Sequence, residues 1–315
     1  MRRSVLLAGL MVVFTSCGTS DPVVVQHVDP ILRAGLHIRY PTVDGFRRSY
    51  AIYVPESVPL NGPPAPVVMV LHGYPPVDMS VVTAMNEAAE EHAFIAVYPK
   101  ANRQGEWTMA CDQCSPNAVQ GVDDTAYLGA IMDALPEMLP VDTGRYYLTG
   151  FSNGGIMTFR AACEMSDRIA AFAPIGAGIW TWHRDNCAPG RAVPIAMIQG
   201  TDDPSFPWDG VVVSAPLAGN DFQIPVPETV ALWQSQNGCS GVEPEPTSVD
   251  DVDDDTSVHR FSYSACSAET LFYRVDGGGH TWPGGPVDFN PALGRKSLEL
   301  PATDSIVAFF LRQSR

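Results

Sequence analysis

Positive charge is scarce in this 315-residue sequence: 19 lysines and arginines stand against 35 aspartates and glutamates, for a formal net charge of −16. A chain this acidic is repelled by phosphate backbones and anionic lipid, which argues against nucleic-acid partners and against membrane adhesion by charge. A bilayer-crossing segment is missing too, since the apolar run near the start, Val5 to Phe14, is too short to span. Metal-ligand spacing is equally thin. Cys111-x-x-Cys114 has no second C-x-x-C and no His pair at ligand distance, and the Asp-rich stretch Glu243 to Asp255 lacks the glycine and terminal glutamate of an EF-hand. No metal or organic cofactor is therefore expected. No internal repeat and no linker-bounded second domain appears. Apolar residues make up 45% of the chain, enough for one large buried core.

The first residues read as an export signal. Arg2 and Arg3 precede the apolar run, and Thr15-Ser16-Cys17 follows it. Small residues before a cysteine at that point resemble a bacterial lipobox, although Phe14 departs from the usual leucine. The expected division is a signal peptide over 1–16, Cys17 as the lipid-modified first residue, a tether over 17–34, and a catalytic domain over 35–315. The chain would then be secreted or extracytoplasmic, with a membrane tether through that lipid. Six further cysteines suit an oxidising compartment, and nearest-neighbour pairing gives Cys111–Cys114, Cys163–Cys187 and Cys239–Cys266 as the simplest disulfide set.

Strands and helices alternate along the rest. His37–Tyr40 and Arg48–Val54 read as strands joined by a turn at Asp44-Gly45. Val67–Leu71 and Phe94–Tyr98 read as buried strands, with a helix from Met79 to Ala93 between them. Asp123-Asp124 caps a helix from Thr125 to Leu139. Further strands are expected at 170–176, 194–198 and 271–275, and helices at 227–237 and 303–312. Alternation over this length predicts one doubly wound α/β domain with a mostly parallel sheet.

One stretch organises the chain. Tyr146–Thr149 reads as a strand, Gly150-Phe151-Ser152-Asn153-Gly154 fits G-x-S-x-G, and Ile156–Cys163 reads as a helix. Strand, tight turn with serine at its apex, and helix make the nucleophile elbow of the α/β-hydrolase fold. That fold needs an acid and then a histidine, each after the serine and each on a loop following a strand. Of the seven histidines, only His280 satisfies every demand of chain order; His72 is expected to brace its loop instead. Asp202 and Asp203 both sit after a strand end, and their residue types alone do not separate them; Asp276 is a weaker third candidate. Pro75 and Pro76 carry no N–H, so Tyr74 and Asn153 are the expected backbone donors to an oxyanion.

Leu71-His72-Gly73, Gly150 to Gly155, Gly200-Thr201-Asp202-Asp203 and Gly278-Gly279-His280-Thr281-Trp282-Pro283-Gly284 together resemble the polyhydroxybutyrate depolymerase/feruloyl esterase family of secreted esterases. The resemblance runs from about Gly35 to the C-terminus. It implies an α/β-hydrolase fold, Asp203 as the acid beside Ser152 and His280, and a Cys239–Cys266 bridge. It also implies an ester substrate: feruloyl or acetyl groups on plant polysaccharide, or hydroxyalkanoate oligomers. Gln199 departs from the family's usual histidine, with no catalytic role expected for that position. Trp107, Trp208 and Trp282, with Trp180 and Trp182, are candidates to line a substrate cleft by stacking. An acyltransferase on the same scaffold, or a non-catalytic binding protein of this fold, are the rival readings. In a bacterial host the wild-type chain is expected to take up a lipid probe and Cys17→Ala to lose that label. Equal labelling of the two would remove the anchor.

Overall fold

The computed structural model describes residues 32–102, 104–108, 121–212, 222–242 and 244–315. In chain order the strands are β1 (Gly35–Arg39), β2 (Thr42–Val43), β3 (Phe46–Arg47), β4 (Tyr50–Val54), β5 (Ala65–Leu71), β6 (Ile95–Pro99), β7 (Val141–Phe151), β8 (Ala171–Ile175), β9 (Ile195–Gly200), β10 (Val211–Val212), β11 (Phe222–Gln223), β12 (Thr247–Val249), β13 (Ser257–Tyr263) and β14 (Thr270–Asp276). The helices are α1 (Met79–Thr83), α2 (Met85–His92), α3 (Asp124–Ala134), α4 (Asn153–Glu164), α5 (Thr181–Asn186), α6 (Val226–Gln236) and α7 (Ala302–Phe310).

Ten of these strands form one sheet in the order β1-β4-β6-β5-β7-β8-β9-β14-β13-β12. The six from β6 to β14 run parallel, while β1, β4, β13 and β12 add antiparallel edges. Along β5 every residue is buried, and its side chains alternate between two cores. Val67, Met69 and Leu71 meet residues of α3, α4 and α6 on one face, whereas Val68 and Val70 meet α1, α2 and α7 on the other. A strand covered by helices on both sides has no use for polar alternation, which is why it reads as an unbroken apolar run. This is the α/β-hydrolase layout. From β5 the chain steps outward to β6 and then returns to β7 on the other side. The C-terminal ends of β5 and β7 therefore meet at the switch point of the sheet, where α/β folds open a crevice.

Several elements differ from expectation. The Asp44-Gly45 turn closes only the short β2–β3 ladder, while β1 and β4 pair directly from Gly35↔Val54 to Arg39↔Tyr50. The helix after β5 is two helices, parted at Ala84, whose left-handed backbone (φ 50°) no residue type announces. The helix expected to reach Leu139 stops at Ala134, where Pro136 turns the chain into a 3-10 segment. The acidic stretch and the residues after it form β12 and β13, an antiparallel extension missed because its edge strand is mostly exposed. Before β1, Leu32 is buried and its N–H donates to the Met138 carbonyl. Disulfides join Cys163 to Cys187 and Cys239 to Cys266. The expected signal segment, Cys17, and the expected Cys111–Cys114 pairing lie outside the described residues.

His183 on α5 is buried, and neither ring nitrogen has a hydrogen-bond partner among the described residues. Burial pulls its pKa from 6.5 down to about 3. Between those values the unfolded chain takes up a proton that the folded chain refuses, so this histidine's contribution to stability falls as pH drops from 6.5 toward 3. His183→Phe is expected to relieve about 2 kcal/mol of that loss at pH 5. Melting temperatures at pH 5 and pH 7.5 check it: the variant's gain should be larger at the lower pH.

Candidate active site

β7 ends at Phe151, and α4 begins at Asn153, leaving Ser152 alone to reverse the chain. It does so at φ 59° and ψ −123°, a strained conformation for a residue with a Cβ. The turn works because the helix can press against the neighbouring strand. A Cβ on Gly154 would lie 2.6 Å from the carbonyl oxygens of Leu71 and His72, so only glycine admits this approach. The same closeness sets the loop after β5 against the elbow. Asn153 opens α4, where first-turn N–H groups have no helical acceptor and point outward with the positive end of the helix dipole.

The loop after β5 is braced from below. His72 donates through Nδ1–H to the Gly73 carbonyl (2.8 Å) and accepts from the Ala101 N–H at Nε2 (3.0 Å). Both bonds need the neutral ring, and burial lowers its pKa to about 4, which keeps it neutral. Its lone pair is committed, so it is a brace. Trp107 ties the two segments together: its backbone N–H donates to Asn153 Oδ1 (2.8 Å) and its indole N–H to the His72 carbonyl (2.9 Å).

The expected acid and base lie on the loops that follow β9 and β14. Asp203 is buried and its Oδ1 accepts the N–H groups of Ser205 and Phe206, both at 2.8 Å. His280 Nδ1–H donates to Oδ2 at 2.8 Å, with the two side chains 6% and 0% exposed. That contact separates the neighbouring aspartates: Asp202 faces solvent with Thr201 as its side-chain partner, and Asp276 is engaged by Arg274 and His259 at the far edge. Phe151 and Phe206 stack on the His280 ring at centroid distances of 4.7 and 5.5 Å, fixing its plane.

Ser152 and His280 line one cavity of about 580 Å³, with Gly73, Tyr74 and Asn153 along the same wall. The structure thus brings together Ser152, His280 with Asp203 behind it, and both expected oxyanion segments. It does not bring the three chosen tryptophans there. Trp107 and Trp282 are fully buried, the latter donating to Thr303 Oγ1, and Trp208 packs against Phe272. Large aromatics near a site were expected to face substrate, but packing claims these three. Trp180 does line the cavity, with Phe151, Phe206 and Phe289, whereas Trp182 lies in a separate groove beside Cys163–Cys187. Gln199, noted in the sequence only as a departure with no catalytic role expected, stands with its Nε2 3.1 Å from Asp203 Oδ2.

Comparison with known proteins fits this geometry. No protein-family model matches the chain. NocK of Nocardia uniformis subsp. tsuyamanensis, an esterase by name, is 27% identical over 342 aligned positions and 98% of each chain. The bifunctional acetylxylan esterase/xylanase XynS20E of Neocallimastix patriciarum is 31% identical over 52% of this chain and 22% of its own. Feruloyl esterase C of Emericella nidulans is 31% identical over 50% of both. The chain is similar to these three proteins named as esterases. It spans nearly all of NocK, but half or less of the other two. Among solved structures, the acetyl xylan esterase of Aspergillus awamori superposes with a TM-score of 0.58 at 12% identity, covering 87% of this chain and 98% of that one, and so shares the fold.

The hydrolase offers a clean test of which carboxylate matters. Asp203→Asn is expected to cut kcat by about three to four orders of magnitude, since it would favour the wrong imidazole tautomer. Asp202→Asn should stay within about twofold. Steady-state kinetics on p-nitrophenyl acetate reads both.

Proposed function

We propose that the chain is an exported serine esterase that works through an acyl-enzyme on Ser152. The observation that carries this is the 2.8 Å bond from His280 to buried Asp203, with His280 and the strained Ser152 lining one cavity. Asp203 holds Nδ1–H, which leaves the Nε2 lone pair free to take the serine proton as its oxygen attacks the ester carbonyl. The N–H groups of Tyr74 and Asn153 receive the negative oxygen of the tetrahedral intermediate, an effect worth about 3 kcal/mol per donor in comparable sites. His280 then gives its proton to the departing alcohol. Water enters and gives a proton to His280 as its oxygen attacks the acyl carbon, and His280 returns that proton to the Ser152 oxygen as it leaves, which frees the acid. Every proton moved has a named side chain.

Acetyl or feruloyl esters of plant polysaccharide are the proposed substrates. The names of the relatives suggest the acyl groups, and the aromatic cavity wall of Phe151, Trp180, Phe206 and Phe289 supports an aromatic one. The two disulfides support folding in an oxidising compartment, in keeping with export and a lipid on Cys17. Ser152→Ala is expected to leave less than about a thousandth of wild-type turnover on p-nitrophenyl acetate, and retained activity would remove the assignment. A panel of methyl ferulate, acetylated xylan and hydroxybutyrate oligomers then ranks the esters. Preference for the oligomers would overturn the polysaccharide proposal.

A further inference from the structure

Gln199 is buried near the end of β9, one strand residue before Gly200. Its Nε2 reaches two acceptors at 3.1 Å: Asp203 Oδ2, the same oxygen that His280 engages, and the Phe206 carbonyl. Only the nitrogen end of an amide can satisfy a carboxylate and a carbonyl, so the orientation follows from chemistry. Its other end, Oε1, is buried without a partner among the described residues. A buried amide that leaves its oxygen unpaired is held by what its nitrogen does.

We propose that Gln199 is a positioning residue for the base: its amide holds Asp203 Oδ2 in line with His280 and, through the Phe206 carbonyl, fixes the ring stacked on that histidine. This rests on reading Ser152, His280 and Asp203 as the reacting group. A neutral donor on Oδ2 also draws electron density from the oxygen that faces the imidazole. Without it, the carboxylate faces the imidazolium with its full charge, and the pH profile of turnover should change. The other charges near the pair are set apart from it. Glu106 lines the same cavity, Asp202 is exposed, and Arg295, whose carbonyl accepts from the Gly279 N–H, is exposed and faces Asp255.

Two variants of the full chain test this on p-nitrophenyl acetate. Gln199→Met keeps the length and removes the donor. It should lower kcat about tenfold with KM within about twofold, and move the acidic limb of kcat/KM upward by about half a unit. Gln199→Glu can donate only while protonated, so its profile should gain a descending alkaline limb as two carboxylates come to face each other. The downfield proton resonance of His280 Nδ1–H supplies a readout independent of turnover, and it should shift in Gln199→Met. Wild-type kcat, an unmoved acidic limb and an unshifted resonance in Gln199→Met would overturn the inference. Ser152→Ala, run alongside, separates the cases: if it stays active, the esterase reading fails, and if it is dead while Gln199→Met is normal, only the positioning role fails.

Discussion

A carboxylate whose side chain is 0% exposed is the constraint on which the rest of this site depends. Removing such a charge from water is costly unless its lone pairs are matched, and Asp203 is matched by four donors. Two come from its own turn, Ser205 and Phe206; one from the end of its strand, Gln199; and one from the loop after β14, His280. The solvation of one ion therefore locks three pieces of backbone together.

The sheet makes the remaining distance a problem that one loop solves. Ser152 stands at the end of β7 and His280 follows β14, with β8 and β9 between. Three strand spacings come to about 14 Å, too far for a side chain to cross unaided. The loop carrying His280 folds back over the sheet, tied by the bonds from the Gly279 N–H to Arg295 and from the His280 N–H to Leu293. Trp282 is the anchor of that return. It is fully buried, bonded to Thr303 and edge-on to Phe151, the residue just before the serine. A tryptophan two positions from the base thus acts as ballast for the loop rather than as a wall for substrate.

What the sequence made legible follows the range of the forces involved. The elbow is local: glycines around Ser152 are required by contacts within a few residues and one strand, so a five-residue pattern reports them. His280 was legible through chain order, which the fold imposes whatever the loops do. The choice between Asp202 and Asp203 depends on which way a turn directs two adjacent side chains. Gly278 and Gly294, the latter from a loop some ninety residues away, press on that turn and are invisible in its own sequence. Trp107, Trp208 and Trp282 misled for a related reason. Size and aromaticity say that a ring must be covered, and only the fold says by what. The break at Ala84 left no trace at all, because alanine, unlike glycine or asparagine, does not routinely adopt a left-handed turn.

Behind the oxyanion wall lies a second buried charge that repeats the logic of the first. Arg48 and Asp124 form an ion pair at 2.6 Å with side chains 3% and 0% exposed, and the guanidinium sits 3.7 Å from the centre of the Tyr127 ring. Asp124 Oδ2 also takes both the N–H and the hydroxyl of Thr108. That fixes the backbone next to Trp107, the residue that joins Asn153 to the His72 carbonyl. A buried pair of this kind is weak evidence for stability, because apolar residues of the same volume could replace it at little cost. They could not hold Thr108 at one distance and direction. The sequence of contacts from Arg48 through Asp124, Thr108 and Trp107 to the two backbone segments that face the cavity is then best understood as precision, since a functional group has to be held within about 0.5 Å of its working position.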